Sequence, residues 1–153
     1  MKHKPNKVKK LPEFKSLPSV LLVVAPYYPD ITTSLVDGAK EVLLQATNKI
    51  EQIEVPGALE IPTAINFASS KYSGFVALGC VIRGETTHYE TVTSDSSSAL
   101  SQLGLQGICI GNGILTVENY EQAIERANPS KQNKGGNAAE ALLWLLAIKE
   151  RFL

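Results

Sequence analysis

The sequence predicts an α/β fold, a three-layer α/β/α sandwich around a four-stranded parallel sheet. Short apolar runs rich in β-branched residues alternate four times with segments that carry apolar residues at helical spacing. Proline, glycine or a polar turn ends each apolar run. The chain has 153 residues, of which 44% are hydrophobic, and it can therefore bury one sizeable core. Strands that alternate with helices in this way pair in parallel through right-handed crossovers.

The first half of the chain supplies two strand–helix pairs. Pro26 and Pro29 end the first strand, and Pro56-Gly57 ends the second. Pro62 falls in the first turn of the second helix, where proline is tolerated. The predicted elements are a strand over 19–25, a helix over 33–46, a strand over 50–55 and a helix over 61–68.

The second half predicts two more strands and three helices. Gly111-Asn112-Gly113 is interpreted as the turn that ends the fourth strand, and Thr116 as the cap of the helix after it. The last helix is apolar on almost every side, which predicts a subunit interface. The predicted elements are strands over 75–82 and 107–110, and helices over 88–103, 118–127 and 135–150.

Composition argues against nucleic-acid and membrane proteins. Fifteen basic and fifteen acidic side chains give formal neutrality. Residues 1–16 carry six lysines against one acid, which predicts a basic flexible tail, and residues 17–153 are predicted to form a single domain.

Apolar runs are too short to span a bilayer, and no signal region is visible. Cys80 and Cys109 lie in apolar runs, typical of reduced buried thiols. A cytoplasmic protein is expected, and two histidines give no metal-ligand spacing.

Residues 77–92, ALGCVIRGETTHYETV, hold the most informative pattern for chemistry. A buried strand runs into a polar turn, and His88 stands where a helix begins. Thr87 and Glu90 have the spacing of a capping box. Free amides and the positive end of a helix suit an anion, and they favour an uncharged imidazole that can accept a proton. The pattern indicates an anionic substrate and proton transfer.

Four segments resemble the lumazine synthase family, over about residues 18–152. They are VPGALEIP (55–62), ALGCVIRGETTHYETV (77–92), GILTVENYEQAIERA (113–127) and NKGGNAAEA (133–141). The resemblance implies a flavodoxin-like, oligomeric fold. It also implies a reaction that condenses 5-amino-6-(D-ribitylamino)uracil with 3,4-dihydroxy-2-butanone 4-phosphate. The product would be 6,7-dimethyl-8-ribityllumazine, with release of phosphate and water and with no cofactor or metal.

The resemblance also implies roles for residues at the strand ends. His88 matches the family's proton-transfer histidine, and Tyr27 matches an aromatic residue that stacks on the pyrimidine. Glu60 and the backbone of its turn would bind the ribityl hydroxyls, and Glu85 and Thr86 belong to the phosphate-binding turn. The remaining substrate-binding residues implied at these ends are Gly57, Ala58, Leu59, Cys80, Val81 and Ile82.

Three further residues are implied to reach the site from a neighbouring subunit: Asn112, Arg126 and Lys134. From the residues alone, Arg126 equally fits charge matching at a helix C-terminus, and Lys134 fits a solvated lysine. The chain departs from the family at three places. Asn112 stands where many members carry an aromatic residue, Tyr28 where asparagine is frequent, and Glu85 places a negative charge near the phosphate turn.

Two other functions are compatible with the same pattern. A flavodoxin-like flavin-binding module would use Thr32-Thr33-Ser34 as a phosphate loop, although that turn lacks glycine. A non-catalytic assembly protein would explain the apolar last helix, but it would not need Glu60, His88, Arg126 and Lys134. For the assembly, Pro129 in segment 128–132 favours a free pentamer over a closed shell. The expected partners are two small-molecule substrates and copies of the same chain.

Overall fold

The structure is a computed structural model that describes residues 10–153. Most of the predicted basic tail, residues 1–9, lies outside the described residues. Two side chains in the remainder of that segment, Leu11 and Phe14, are partly buried against the core. In the described part of the chain, no helix combines the length and the apolar character needed to cross a membrane.

The described residues contain the strands β1 (Val20–Val24), β2 (Ile50–Glu54), β3 (Gly74–Ile82) and β4 (Cys109–Val117). All are parallel, and they form one sheet in the order β2-β1-β3-β4. This confirms the predicted α/β fold. The helices are α1 (Pro29–Leu43), α2 (Ile61–Ala68), α3 (His88–Leu105), α4 (Tyr120–Ala127) and α5 (Lys134–Phe152), and a short 3₁₀ turn covers Ala58–Glu60.

The helices cover both faces of the sheet. Side chains alternate along a strand, so Val20 and Leu22 of β1 enter one core while Leu21 enters the other. The first core packs the sheet against α1, α4 and α5, and the second packs it against α2 and α3. The three-layer sandwich is therefore confirmed, with β1 buried on both faces.

Helix α1 begins one turn earlier than the apolar stripe predicted. Pro29, interpreted as the end of the strand, occupies the first turn of the helix, where its missing N–H costs nothing. Asp30 adds a negative charge at the positive helix end. The hydroxyl of Thr32 donates to the carbonyl of Tyr28 at 2.9 Å, which fixes the start.

The predicted turn at Gly111-Asn112-Gly113 is wrong, because β4 runs through it and pairs with the whole of β3. The glycines allow a close approach of helix and strand instead. A Cβ at Gly111 would lie 2.0 Å from the carbonyl oxygen of Ala138 in α5, and one at Gly113 would lie 2.7 Å from Leu78 Cδ2. The sequence pattern of a turn and of a crowded strand is the same here.

The predicted caps of α4 and α3 are also wrong. Asn119, and not Thr116, caps α4 by accepting from the Gln122 amide at 2.9 Å. At the start of α3, Thr87 makes no side-chain cap. Glu90 is unavailable for a capping box because it forms an ion pair with Arg83.

Helix α3 forms despite its many serines and threonines. Several of their hydroxyls donate to carbonyls one turn earlier, as Thr93 does to Tyr89 at 2.8 Å and Ser96 does to Val92 at 2.7 Å. The helix buries Val92, Ser96 and Leu100 on one face. The helical spacing of the apolar residues therefore predicts α3 better than the helix propensities of its residues do, because tertiary packing stabilises this helix.

Helix α5 buries one face and leaves an apolar second face open. Leu142 and Leu143 are fully buried, whereas Trp144 is 37%, Leu145 41% and Ile148 51% exposed. The predicted subunit interface on this helix stays a prediction, since the structure describes one chain.

Gly111→Ala should destabilise the fold by about 1–3 kcal/mol, because the added methyl group would collide with the backbone of α5. Gly104→Ala is the matched control: a Cβ there meets nothing within 4 Å, and alanine is the better helix former. Free energies of unfolding from denaturant titration compare the two. Equal stability of both variants would contradict the close approach of β4 and α5.

Candidate active site

A groove of about 470 Å³ lies beyond the carboxyl ends of β1, β2 and β3, and we call it the strand-end groove. Ligands collect at this edge in parallel α/β sheets. Its walls come from three turns that backbone hydrogen bonds hold together. Val55 donates to Val24 at 2.8 Å and Ala25 donates to Leu78 at 2.9 Å, so the sheet pairing continues past the strands.

The strand-end groove gathers most of the predicted site residues. Those are Tyr27, Gly57, Ala58, Leu59, Glu60, Cys80, Val81, Ile82, Thr86 and His88. Tyr28, Pro56 and Gly84, from the turns singled out in the sequence, also line it. Sequence reasoning missed Ala25, Tyr89 and Val92 as lining residues. For Val92 a signal existed, because it follows His88 by four residues and so shares its helix face.

His88 is the first residue of α3 and is exposed at the wall of the groove. Its backbone N–H donates to the Thr86 hydroxyl at 3.3 Å, which orients the helix start in place of the predicted capping box. Among the hydrogen bonds of residues 10–153, none involves the imidazole ring, so the ring is accessible to a ligand in the groove. An accessible imidazole at a groove wall is suited to proton transfer.

The floor of the strand-end groove is apolar. Burial raises the pKa of the Cys80 thiol to about 11, so the thiol is protonated at neutral pH. The pKa of the Tyr28 hydroxyl is raised as well, first by burial and then by Tyr27 and Cys80. The rings of Tyr27 and Tyr28 meet edge to face with centroids 4.9 Å apart, and Tyr27 remains 73% exposed. Such a surface favours a flat, uncharged ring system.

Asn112, Arg126 and Lys134 lie together in a second groove of about 380 Å³, which we call the β4–α5 groove. The Asn112 Oδ1 atom accepts from the Ile114 amide at 3.0 Å, which leaves its NH₂ group to donate. Arg126 is half-buried, and its Nη1 atom donates to the Gln122 carbonyl at 3.2 Å. The groove thus presents donors and positive charge.

The two grooves share no lining residue. Within one chain, His88 therefore does not face Arg126 or Lys134 across a common cavity. Glu85 lines neither groove, although both of its neighbours, Gly84 and Thr86, line the strand-end groove. In the described residues, no cluster of three or more His, Cys, Asp or Glu side chains is placed to hold a metal ion.

A parallel α/β sheet with a groove beyond the strand ends is the architecture of proteins that bind small molecules at that edge. Residues 18–150 match the sequence model of the 6,7-dimethyl-8-ribityllumazine synthase family. A protein of that name from Jannaschia sp. is 53% identical over 93% of this chain and 81% of the relative. Another, from Bartonella tribocorum, is 53% identical over 92% of this chain and 95% of the relative. A third, from Novosphingobium aromaticivorans, is 52% identical over 86% of this chain and 96% of its own. The chain belongs to the 6,7-dimethyl-8-ribityllumazine synthase family.

The burial of Cys80 predicts that its thiol reacts slowly with alkylating reagents. In a Cys109→Ser variant, alkylation of Cys80 by iodoacetamide should quicken about tenfold per pH unit between pH 7 and 10 without a plateau, since only the thiolate reacts. In denaturant, the same thiol should approach a plateau near its ordinary pKa. A plateau below pH 9 in the folded protein would contradict the apolar floor.

Proposed function

We propose that the chain condenses 5-amino-6-(D-ribitylamino)uracil with 3,4-dihydroxy-2-butanone 4-phosphate to give 6,7-dimethyl-8-ribityllumazine, phosphate and water. Family membership over residues 18–150 supports the reaction. The observation that carries it for this chain is the shared groove: Tyr27, Glu60 and His88 line one cavity beyond the strand ends. An aromatic ring, a carboxylate and an imidazole match a pyrimidine, a ribityl chain and a proton transfer.

The pyrimidine substrate fits the apolar part of the strand-end groove. Tyr27 offers an exposed ring for stacking. The Glu60 carboxylate accepts from vicinal ribityl hydroxyls, and the backbone of 57–60 provides further polar groups. Cys80, Val81 and Ile82 form the wall against the heterocycle.

The phosphate substrate needs a cation that the strand-end groove does not supply. No lysine or arginine is among the residues that line it, in the part of the chain that the structure describes. The amides of residues 84–86 near the start of α3 give donors without full charge. Glu85 does not line the groove, which supports a turn whose amides stay open to the phosphate. A guanidinium fork would complete such a site.

The β4–α5 groove has the complementary chemistry. It holds Arg126, Lys134 and the donor side of Asn112, with no catalytic imidazole. We therefore propose a homo-oligomer, with a pentamer favoured, in which the β4–α5 groove of one subunit closes the strand-end groove of the next. The exposed apolar face of α5 provides surface for that association. The free buried thiols accord with a cytoplasmic location.

The reaction begins when the 5-amino group of the pyrimidine attacks the ketone and water leaves to give an imine. Elimination then releases phosphate, and the ring closes with loss of a second water. His88 relays protons between these steps, while Arg126 anchors the phosphate until it departs. Holding two substrates in register supplies much of the acceleration, since effective molarities reach about 10⁵–10⁸ M.

A direct test mixes the two substrates with the purified protein and follows lumazine fluorescence. Enzyme-dependent formation of the product is expected. Stoichiometric bound FMN in the purified protein, without product formation, would favour the flavin-binding alternative. Inactivity of a well-folded oligomer that binds neither substrate would favour an assembly protein.

His88→Ala should lower turnover by about 10²–10⁴-fold, because the proton relay is lost. Binding of the pyrimidine should change little, since stacking and the ribityl contacts remain. Stopped-flow turnover and equilibrium titration measure the two effects separately.

The matched control is Thr91→Ala, an exposed residue of the same helix turn that lines neither groove and should leave turnover unchanged. Full activity of His88→Ala would remove this residue from the mechanism.

A further inference from the structure

Arg83, outside the proposed set of substrate-binding residues, joins three elements around His88. Its backbone N–H donates to the Val117 carbonyl at 2.9 Å, which ties the turn after β3 to the end of β4. Its Nε atom donates to Glu118 at 2.7 Å, and its Nη1 atom forms an ion pair with Glu90. Its Cζ atom stands 4.3 Å from the centroid of the Tyr89 ring.

We call this arrangement the Arg83 clamp; it comprises Arg83, Tyr89, Glu90 and Glu118. Two of its members, Tyr89 and Glu90, follow His88 directly in the first turn of α3. Tyr89 also lines the strand-end groove. The clamp therefore holds the helix turn that carries the imidazole, from the side of the sheet.

The start of α3 has few other restraints. Thr87 makes no side-chain cap, and residues 83–88 are all exposed. The next turns are rich in hydroxyl side chains that bond to the helix carbonyls and disfavour a straight helix. Arg83 supplies an ion pair to Glu90 and a cation–π contact to Tyr89 in the first turn of α3, while Val92 anchors the next turn by apolar burial.

The ion pairs themselves contribute little to global stability. The three charged side chains are between 41% and 57% exposed, and exposed pairs are screened by solvent. A planar guanidinium with two carboxylates and a ring face nevertheless defines an orientation. The clamp is therefore suited to fixing geometry.

We propose that Arg83 is a positioning residue that holds the first turn of α3, and with it His88, in the geometry needed for proton transfer in the strand-end groove. This rests on the proposed function, in which His88 relays protons. Misplacement of a reacting group by about 1 Å costs on the order of 10²-fold in rate. The loss on removing Arg83 should therefore appear in kcat and not in the KM of the pyrimidine.

The test is a double-mutant cycle on kcat. Arg83→Gln should lower kcat about 10- to 100-fold in the natural background. In a His88→Ala background, the same change should alter kcat by less than about twofold, since no imidazole remains to be positioned. Arg83→Lys, which keeps the charge but lacks the planar fork, should share most of the loss.

Arg151→Gln is the matched control, because this exposed arginine also lies over an aromatic ring, that of Phe152, and lines neither groove. It should leave kcat unchanged. A wild-type kcat in Arg83→Gln would overturn the proposal. An equal loss of kcat on Arg83→Gln in the wild-type and His88→Ala backgrounds would overturn it as well.

Amide hydrogen exchange tests the clamp without any reliance on activity. Arg83→Gln should speed exchange of the Thr91 amide, which donates to the Thr87 carbonyl at 3.3 Å, and of the amides in the next turn of α3, and it should leave the middle of α5 unaffected. Unchanged exchange at the start of α3 would overturn the proposal. If the natural protein formed no lumazine, the proposed reaction would fail, while the exchange result would still decide whether Arg83 holds this turn.

Discussion

Backbone pairing that continues past the strand ends is the constraint on which the site depends. Val55 bonds to Val24, Ala25 to Leu78 and Arg83 to Val117, all between 2.8 and 2.9 Å. These bonds bring three turns from distant parts of the chain to one edge of the sheet. Without them the walls of the strand-end groove would be independent loops, each free to move. The groove is thus a consequence of parallel register.

A second constraint is the close packing of α5 against β4 on one face of the sheet. Gly111 leaves room for the backbone of α5, and Gly113 leaves room for the side chains of Leu78 in β3 and Ala138 in α5. Lys134 at the start of α5 and Arg126 in α4 line the same groove as Gly113 and Ala138. The β4–α5 groove therefore depends on two glycines, of which Gly113 is itself a lining residue. Chemistry and packing are linked through the same strand.

The sequence predicted buried strands such as β1 well, but it predicted a turn within β4, where α5 packs closely against the strand. Apolar runs such as that of β1 have one interpretation, because both faces of the strand are covered. At Gly111-Asn112-Gly113 the pattern of a turn and that of a close helix contact coincide, and only pairing with β3 separates them. The capping box at Thr87 failed for a similar reason: the partner of Glu90 is Arg83, a tertiary contact that local spacing does not encode.

Most of the residues that line the two grooves could be predicted from the turns that follow the strands and from the family resemblance. Their division into two grooves could not, because it depends on which edge of the sheet each element reaches. One groove carries the imidazole and the other carries the cations. The central proposal about function is that a complete site takes one groove from each of two subunits.

Complementation between two inactive variants tests this claim most directly. His88→Ala and Arg126→Ala subunits, each expected to have strongly lowered turnover alone, are unfolded together and reassembled in equal amounts. Mixed assemblies should regain about a quarter of the natural turnover, because neighbouring subunits combine an intact strand-end groove with an intact β4–α5 groove at random. Mixed assemblies that stay as inactive as either parent would place both residues in the same subunit's site and contradict the account.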